Sequence, residues 1–361
     1  MDRLILRSLG RTGLSAYPVG FGCYRIGEEN STHEAALRSY LDRGGNLADT
    51  SANYTDGQSE RLVGRVIKDY PRDRLIIVTK GGYIQGQNMW LAQSRSFPEV
   101  VHYADGLWHC IHPEFLETQI RLSSERLQVG TMDVFLLHNP EYYLTHIAHQ
   151  RKPTAEDHDE FYRRIREAFR FLEGKVGEGR IRWYGISSNH YGLPTSDPTM
   201  TSVSRCLAAA REVSADHHFG VVQLPMNLYE SGGALEENNN GRTVLRFCQS
   251  NGIGVLANRP LNAFSEGQLI RLADFIGQQG LPDAVRRRLT DAGYPLTGSG
   301  ERLSQMAIRV LLSLSGLSCV LVGMRRTEYV QDLMALPMAP PVNGEEILRS
   351  FQAGPNREGR G

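Results

Sequence analysis

Short apolar runs alternate along this chain with longer segments of helical periodicity, and this alternation restricts its possible folds more than any other feature. The runs lie near residues 19–24, 46–50, 75–80, 132–138, 181–187, 220–226, 253–258 and 319–323. Apolar residues at three-to-four spacing predict helices from residue 31 and near 59–70, 112–128, 158–178, 199–214, 241–251, 302–315 and 327–336. Strands that alternate with helices predict a parallel sheet. Eight such units predict an α/β fold of the (β/α)8, or TIM barrel, type.

The chain has 361 residues, which is enough for one barrel and its loops. We expect residues 1–338 to form a single (β/α)8 barrel domain. Within it, residues 4–18 carry Gly10 and Gly13 between apolar stretches and predict an N-terminal β-hairpin that closes the bottom of the barrel. Residues 339–361 contain Pro340 and Pro341 and a glycine-rich end. They predict a tail with a short helix followed by partial disorder.

Three connections, 82–111, 139–157 and 262–300, are longer than a barrel needs. Each follows a predicted strand, so each is expected on the catalytic face. Long loops in compact domains are usually functional or disordered. The first contains Trp90, Phe97, Tyr103 and Trp108, which favours either a lid or pocket wall, or an aromatic loop packed on its own barrel.

Composition excludes some partners. With 40 basic and 40 acidic residues the formal net charge is zero, and no compact block of Lys or Arg stands out. We therefore expect a small-molecule substrate, with no nucleic acid and no membrane partner. No run of about 18 apolar residues is present, and the five cysteines are widely spaced without a Cys-x-x-Cys pair. These features predict a soluble cytoplasmic protein with reduced thiols.

Four residues lie at or just past the ends of predicted strands: Asp49, Tyr54, Lys80 and His138. In a closed barrel the C-terminal ends of the strands meet at one mouth, so these side chains are expected to come together. Lysine accounts for only four of the forty basic residues, which makes Lys80 at a strand end notable. Its pKa responds to burial in a way that a guanidinium does not match.

The four side chains together suit the reduction of a carbonyl group. A phenol has a pKa of about 10 and is a poor acid at neutral pH. An adjacent ammonium is expected to lower the pKa of Tyr54, and Asp49 is expected to keep Lys80 charged and oriented. A neutral His138 can donate a second hydrogen bond to the reacting oxygen. Taken one at a time, these residues are more often a turn former, a loop aromatic, an extended surface lysine and a core histidine, and it is their joint occurrence at successive strand ends that favours the catalytic interpretation.

Several segments resemble the aldo-keto reductase family, in order from about residue 7 to 336: Leu9-Gly-Arg-Thr-Gly-Leu14, Gly20-Phe-Gly-Cys-Tyr-Arg-Ile-Gly27, Ala48-Asp-Thr-Ser-Ala-Asn-Tyr54, Val78-Thr-Lys-Gly81, Leu136-Leu-His138, Gly185-Ile-Ser-Ser-Asn189 and Gly323-Met-Arg-Arg326. The resemblance implies a (β/α)8 barrel that uses NADPH, with NADH as the less common alternative, and has no Rossmann fold. The chain likewise has no Gly-x-Gly-x-x-Gly after its first strand. The resemblance also implies that Tyr54 is the general acid/base, that Asp49 and Lys80 tune it, and that His138 orients the carbonyl.

For the cofactor, the resemblance implies three groups of contacts. The nicotinamide carboxamide would meet Ser188, Asn189 and Gln223, and the diphosphate would meet Pro260 and Leu261. The adenosine end would meet Gly323, Arg325 and Tyr329. An arginine at 325 can pair with a 2′-phosphate, which favours NADPH.

The chain departs from the family pattern at three positions. Asn258 replaces an aromatic that stacks on nicotinamide in many members. Leu333 replaces an adenine-binding asparagine, and we expect Asp332 beside it to substitute. Tyr24 replaces a pocket tryptophan of some relatives, so Tyr24 and Trp108 are the expected substrate-pocket residues.

The leading hypothesis is therefore an NADPH-dependent oxidoreductase that reduces an aldehyde or ketone, or runs the reverse reaction on an alcohol. The alternative on the same barrel is a regulatory protein that binds cofactor and does little or no chemistry. Two further readings stay open: a Schiff base on Lys80, and a metal site at His109-x-x-His112 or His146-x-x-His149. Neither histidine pair has a cysteine or carboxylate cluster beside it, so we expect no metal.

Overall fold

The structure is a computed structural model that describes residues 5–265, 268–272, 287, 290–294 and 301–352. Its strands, in chain order, are β1 (Arg7–Ser8), β2 (Ser15–Ala16), β3 (Val19–Gly22), β4 (Leu47–Asp49), β5 (Ile76–Gly81), β6 (Tyr83–Ile84), β7 (Val101–Ala104), β8 (Leu107–His109), β9 (Met132–His138), β10 (Ile181–Ser187), β11 (Phe219–Pro225), β12 (Gly254–Asn258), β13 (Asn262–Ser265), β14 (Gln268–Arg271) and β15 (Cys319–Val322). The helices are α1 (Ser31–Asp42), α2 (Gln58–Ile67), α3 (Gln87–Ser94), α4 (Pro113–Leu127), α5 (Tyr142–Ala148), α6 (Ala155–Gly177), α7 (Val203–Val213), α8 (Gly232–Leu235), α9 (Val244–Ser250), α10 (Leu303–Leu312), α11 (Thr327–Met334) and α12 (Gly344–Gln352).

Eight parallel strands close into a barrel in the order β3, β4, β5, β9, β10, β11, β12 and β15, and β15 pairs with β3 to complete the ring. This confirms the predicted (β/α)8 fold. The strands are apolar on both faces, as is usual for parallel strands covered by helices. Alternate residues fill the interior, among them Leu47, Val78, Val134, Leu136 and Leu256. The other face of each strand packs against the ring of helices.

The hairpin of β1 and β2 closes the bottom of the barrel, as predicted. Leu9 is fully buried and belongs to the interior cluster of the barrel. Gly10 has φ +59, and a Cβ there would lie 2.4 Å from the Gly252 carbonyl oxygen, so the close approach of the hairpin requires glycine. The Arg11 backbone N–H donates to the same carbonyl at 2.7 Å.

The three long connections contain secondary structure that the sequence did not predict. Residues 82–111 form helix α3 and a three-stranded antiparallel sheet ordered β6, β8, β7. Residues 139–157 include α5 and the start of α6, where Thr154 and Asp157 form a reciprocal cap. In the third connection, β13 pairs with β14 and Tyr294 is buried, while 266–267, 273–286, 288–289 and 295–300 lie outside the described residues.

Helix α12 confirms the predicted short helix in the tail. Its Phe351 packs its ring on Tyr229, and Gln352 Nε2 donates to the Ser231 hydroxyl at 2.8 Å. The tail end that we predict to be disordered, 353–361, lies outside the described residues. The domain boundary at residue 338 stays a prediction. Within the described ranges, no helix has the length and apolar character needed to cross a bilayer.

Candidate active site

The register of the barrel brings the four predicted catalytic residues to one end. Asp49 is the last residue of β4, Lys80 is the second to last of β5, and His138 is the last of β9. Tyr54 begins a short 3-10 turn, Tyr54–Gly57, just past β4. The parallel pairing of β4 with β5 and of β5 with β9 places these strand ends side by side.

The turn that carries Tyr54 has a strained backbone. Thr55 and Asp56 have φ of 44° and 54°, a region that few non-glycine residues adopt and β-branched residues such as Thr55 least of all. Such residues cost about 1–3 kcal/mol each and persist where neighbours hold them. Here Thr55 Oγ1 donates to the Ile26 carbonyl at 2.6 Å, and Asp56 Oδ1 accepts from the Gln87 N–H at 3.0 Å. The turn is thus fixed from both sides.

Lys80 is fully buried and uses all three ammonium protons. Its Nζ donates to Asp49 Oδ2 at 2.8 Å, to the Thr50 carbonyl at 2.8 Å and to Tyr54 Oη at 3.1 Å. Burial by itself lowers the pKa of Lys80, but the Asp49 carboxylate and the Tyr54 oxygen raise it above its usual value. The side chain is therefore a charged ammonium. This arrangement disfavours the Schiff-base reading, which requires a neutral amine.

Asp49 accepts a hydrogen bond on each carboxylate oxygen. Oδ2 faces Lys80, and Oδ1 accepts from Gln223 Nε2 at 2.7 Å. Burial raises the pKa of Asp49, while Lys80 and the Gln223 amide act in the opposite direction. Both groups that face the carboxylate are donors, and this fits the ionised form.

Tyr54 is half-buried, and its oxygen accepts from Lys80. The phenolic proton therefore points away from the lysine. Burial raises the pKa of Tyr54, and Lys80 opposes this shift. The predicted downward effect of Lys80 on the Tyr54 pKa is thus present but smaller than the effect of burial, so the prediction of a net lowered pKa was wrong. The phenol stays protonated at neutral pH.

His138 is neutral and held from two sides. Burial lowers its pKa well below the usual value, and the charge of Lys80 adds to the effect. Its Nδ1 lies 3.0 Å from the Ser51 hydroxyl. The ring of Tyr83 lies edge-on at 4.6 Å between centroids. Behind the strand end, His109 Nε2 bonds the His138 carbonyl at 2.7 Å.

The residues predicted to bind the nicotinamide carboxamide lie near the C-terminal ends of the next two strands. Ser188 and Asn189 follow β10, and Gln223 lies in β11. Gln223 Oε1 accepts from Ser187 Oγ at 3.1 Å and from Asn258 Nδ2 at 3.0 Å. Ser188 Oγ donates to Thr201 Oγ1 at 3.1 Å.

A planar amide fits this part of the mouth. Asn258 Oδ1 is buried and accepts no hydrogen bond within the described part of the chain. It is an acceptor available to an amide N–H of a ligand, and a buried polar atom of this kind ordinarily has a partner.

The residues predicted to bind the adenosine end lie just past β15 and on α11. Arg325 is exposed just past β15, and Tyr329 is 38% exposed on α11. Gly323 has open space beside its Cα. Asp332, in contrast, pairs with Arg302 Nη2 at 2.6 Å, and Leu333 is buried in the core. Asp332 is therefore already engaged by a cation and is a poor substitute for an adenine-binding amide.

Residues 260 and 261 lie two and three positions past the end of β12, on the loop that leaves the catalytic end. Pro260 is buried and Leu261 is half-buried. Both therefore lie at the same mouth as the carboxamide residues, where we predicted the diphosphate loop.

On the substrate side, Tyr24 lies beside the reacting phenol. It is 62% exposed, and its ring meets that of Tyr54 edge-on at 5.1 Å. Trp108 lies in the side sheet, half-buried, with its ring 4.1 Å from His102. Sequence reasoning missed Tyr83, whose hydroxyl accepts from Asn139 Nδ2 at 2.7 Å. Its place three residues after Lys80 was the available signal.

The two histidine pairs do not form metal-type clusters. Among the described residues, no group of three or more His, Cys, Asp or Glu side chains could hold a metal ion. His112 caps α4 by accepting from the Glu114 N–H. His146 bonds Gln150 at 3.2 Å, and His149 bonds Tyr103 at 3.4 Å.

The closed barrel carries Tyr54, Lys80, Asp49 and His138 together at its mouth, an arrangement typical of a (β/α)8 enzyme. A family model described as the Aldo/keto reductase family matches residues 18–340. The chain therefore belongs to the aldo/keto reductase family, whose members are NAD(P)H-dependent oxidoreductases.

Individual relatives are distant but extend over most of the chain. L-galactose dehydrogenase of Arabidopsis thaliana is 24% identical over 352 residues, which cover 93% of this chain and 88% of that protein. The aldo-keto reductase AKR11C1 of Bacillus halodurans, solved in its holo form, superposes with a TM-score of 0.64 at 20% identity, covering 97% of this chain and 96% of the other. An aldo-keto reductase of Klebsiella pneumoniae, solved in complex with NADPH, gives a TM-score of 0.60 at 20% identity, with 96% and 95% covered. At these identities the two structures establish the fold.

Proposed function

We propose that this chain is an NADPH-dependent oxidoreductase that reduces an aldehyde or ketone to an alcohol, or runs the reverse reaction, with Tyr54 as general acid/base. The observation that carries the proposal is the Lys80 Nζ to Tyr54 Oη hydrogen bond of 3.1 Å. It leaves the phenolic proton directed toward the open mouth, and it places an ammonium where the phenolate charge would develop. The hydrogen bond from Lys80 Nζ to Asp49 Oδ2 and the position of His138 beside Tyr54 support the same assignment.

Each residue has a separate task in this reaction. Tyr54 gives its proton to the carbonyl oxygen, and Lys80 stabilises the phenolate that remains. Asp49 holds Lys80 in its charged form. His138, which is neutral, donates a hydrogen bond to the same oxygen and fixes its direction. In the reverse direction the Tyr54 phenolate accepts the proton of the alcohol.

A nicotinamide dinucleotide, when bound, supplies or accepts the hydride. The residues that would hold it are Ser188, Asn189 and Gln223 for the carboxamide, with Asn258 Oδ1 as a further acceptor. Pro260 and Leu261 would line the diphosphate loop. Gly323, Arg325 and Tyr329 would meet the adenosine end, and Arg325 favours a 2′-phosphate and hence NADPH over NADH. The NADPH complex of the Klebsiella relative supports this choice.

The substrate would enter between Tyr24 and Tyr83, whose rings flank Tyr54 and His138. The name of the Arabidopsis relative, L-galactose dehydrogenase, favours testing sugars in the oxidative direction as well as carbonyl compounds in the reductive one. A series of forward and reverse rates against pH separates the two directions. Reduction requires the protonated phenol and falls as Tyr54 ionises, whereas oxidation rises.

The test is Tyr54→Phe, which removes the acid and keeps the ring. The variant should bind NADPH normally, as followed by quenching of tryptophan fluorescence, and should lose about 10²- to 10⁴-fold in kcat, the usual contribution of a positioned acid/base. Tyr70→Phe is the matched control, because Tyr70 donates its hydroxyl proton to Asp42 on the outer helices. Unchanged turnover in Tyr54→Phe would refute the assignment. Tight NADPH binding with no wild-type turnover over a broad panel of carbonyls and alcohols would favour the regulatory alternative instead.

A further inference from the structure

Ser51 lies between the predicted carbonyl-orienting histidine and an amide side chain. Its hydroxyl is 3.0 Å from His138 Nδ1 and 2.7 Å from Asn53 Oδ1, and Ser51 is almost completely buried. The Lys80 carbonyl is further away at 3.3 Å and already accepts from the Ala52 N–H at 3.1 Å. The hydroxyl therefore has three neighbours for its single proton, and the Lys80 carbonyl is the most distant of them.

Proton counting gives two tautomers of the neutral His138 in this group. A neutral imidazole carries one N–H, and a hydroxyl can donate once while it also accepts. If Ser51 donates to Asn53, then Ser51 accepts from His138, and the imidazole proton lies on Nδ1. His138 Nε2 is then a bare lone pair and has nothing to donate to a carbonyl oxygen.

In the opposite arrangement, Ser51 donates to His138 Nδ1, and the imidazole proton lies on Nε2. Asn53 must then present its amide nitrogen to Ser51. An amide has nearly the same shape in both orientations. The other end of Asn53 meets Gln85 at 3.0 Å through a second amide, which can rotate in the same way. The hydrogen bonds that join Gln85, Asn53, Ser51 and His138 can thus all reverse their donors and acceptors together.

We propose that Ser51 is the positioning residue that decides which nitrogen of His138 carries the proton, and that Asn53 sets the direction in which Ser51 donates. This inference rests on the proposed function, because it is the donation from His138 Nε2 to the substrate oxygen that gives the tautomer its importance. When the Asn53 oxygen faces Ser51, His138 Nε2 carries no proton and has none to donate to the substrate. Carbonyl reduction requires the opposite arrangement, in which the Asn53 nitrogen faces Ser51 and His138 Nε2 carries the proton.

Two substitutions at one position drive the tautomer in opposite directions. Asn53→Asp introduces a carboxylate that only accepts, so it holds the Ser51 proton and forces the Nδ1–H form of His138. Asn53→Ala removes the nearer competing acceptor, so Ser51 donates to His138 Nδ1 at 3.0 Å in preference to the Lys80 carbonyl at 3.3 Å, and the imidazole proton lies on Nε2. The side-chain ¹⁵N chemical shifts of His138 distinguish these forms in the cofactor-free protein. His138→Gln identifies the resonance by its disappearance.

The expected result is Nδ1–H in Asn53→Asp and Nε2–H in Asn53→Ala, with kcat for reduction at least about tenfold lower in the Asp variant, the scale of one lost hydrogen bond of about 1.4 kcal/mol. NADPH affinity should differ little between the two. In a Ser51→Ala background, Asn53→Asp and Asn53→Ala should show the same His138 tautomer. Ser51→Thr, which restores a hydroxyl, should restore the difference in tautomer between them. Ser59→Ala is the matched control for a lost buried hydroxyl, because Ser59 bonds Thr50 and the Cys23 carbonyl rather than His138.

The same tautomer in both position 53 variants would overturn the inference, as would an Nδ1–H to Nε2–H difference that survives Ser51→Ala. A failure of the proposed function looks different: the tautomer would still respond to position 53, but the wild-type protein would turn over no carbonyl or alcohol.

Discussion

Removing the charge of Asp49 should expose the cost of burying Lys80. The two side chains are 0% and 5% exposed, and Lys80 Nζ lies 2.8 Å from Asp49 Oδ2. At an effective dielectric constant of about 20, Coulomb's law gives an attraction of about 6 kcal/mol at that distance. Most of this attraction offsets the desolvation of the two charges. The measurable quantity is the cost of leaving one charge without the other, which is about 3–5 kcal/mol for a buried pair.

Asp49→Asn keeps the size and removes the charge. Both carboxylate oxygens accept from donors, Lys80 Nζ and Gln223 Nε2, so the new amide NH₂ must face one of those donors. We expect a loss of about 3–5 kcal/mol in the free energy of unfolding. Lys80→Met should cost a similar amount, because Asp49 keeps only its bond from Gln223. The double variant contains neither charge and should be more stable than the sum of the two losses predicts, by about 3 kcal/mol or more.

Urea denaturation at neutral pH measures these values, and similar m values in all variants are required for the comparison. The exposed pair of Arg121 and Glu125 is the control, because its 2.6 Å contact lies in solvent and should contribute about 0.5 kcal/mol or less. The raised pKa of Lys80 also fixes the direction in which the free energy of unfolding changes with pH. The pKa of Lys80 is raised in the folded state, so the stabilisation is complete below the usual lysine pKa of about 10.4 and is lost as pH rises through the folded value. A loss in the double variant equal to the sum of the Asp49→Asn and Lys80→Met losses would refute the predicted coupling of the two charges.

Two further predictions concern charge at other positions. Arg325→Leu should weaken NADPH binding about 10- to 100-fold, the scale of a charged hydrogen bond to phosphate, and should leave NADH binding nearly unchanged; equal losses for both cofactors in a fluorescence titration would exclude contact with a 2′-phosphate. Burial lowers the pKa of both His109 and His217 to about 4. The folded state therefore disfavours their protonation, and the free energy of unfolding should fall as pH drops from about 6.5 through about 4. Urea midpoints across that range measure the effect, and His217→Gln should flatten the curve.

Much of the barrel and its catalytic end could be predicted because both depend on short-range patterns. A buried parallel strand such as β9 needs a continuous apolar run, and the end of that run marks the strand end that carries His138. The side sheet within 82–111 was missed because its strands have only two to four residues and are too short to show a period. Its position is set by tertiary contacts, such as the packing of Phe97 on Phe115 with centroids 5.3 Å apart.

The site residues that sequence reasoning missed or misjudged depend on partners that are distant along the chain. Asp332 was proposed as an adenine contact, but Arg302 reaches it from the preceding helix. The net pKa shift of Tyr54 follows from how much of the ring is buried, which a list of neighbouring charges does not give. Ser51 was passed over because its importance comes from the position of His138, 87 residues later.

The polar groups of the mouth form one connected hydrogen-bond network that joins the predicted catalytic residues to the predicted carboxamide site. Asp49 joins Lys80 to Gln223, and Gln223 in turn accepts from Asn258. Gln223 therefore uses its nitrogen toward the catalytic pair and its oxygen toward the predicted carboxamide side. A ligand amide that donates to the Asn258 oxygen leaves the Gln223 nitrogen on Asp49 in place. Because the Asp49 carboxylate keeps both of its donors in that case, a cofactor can bind without changing the charge balance that keeps Lys80 protonated beside Tyr54.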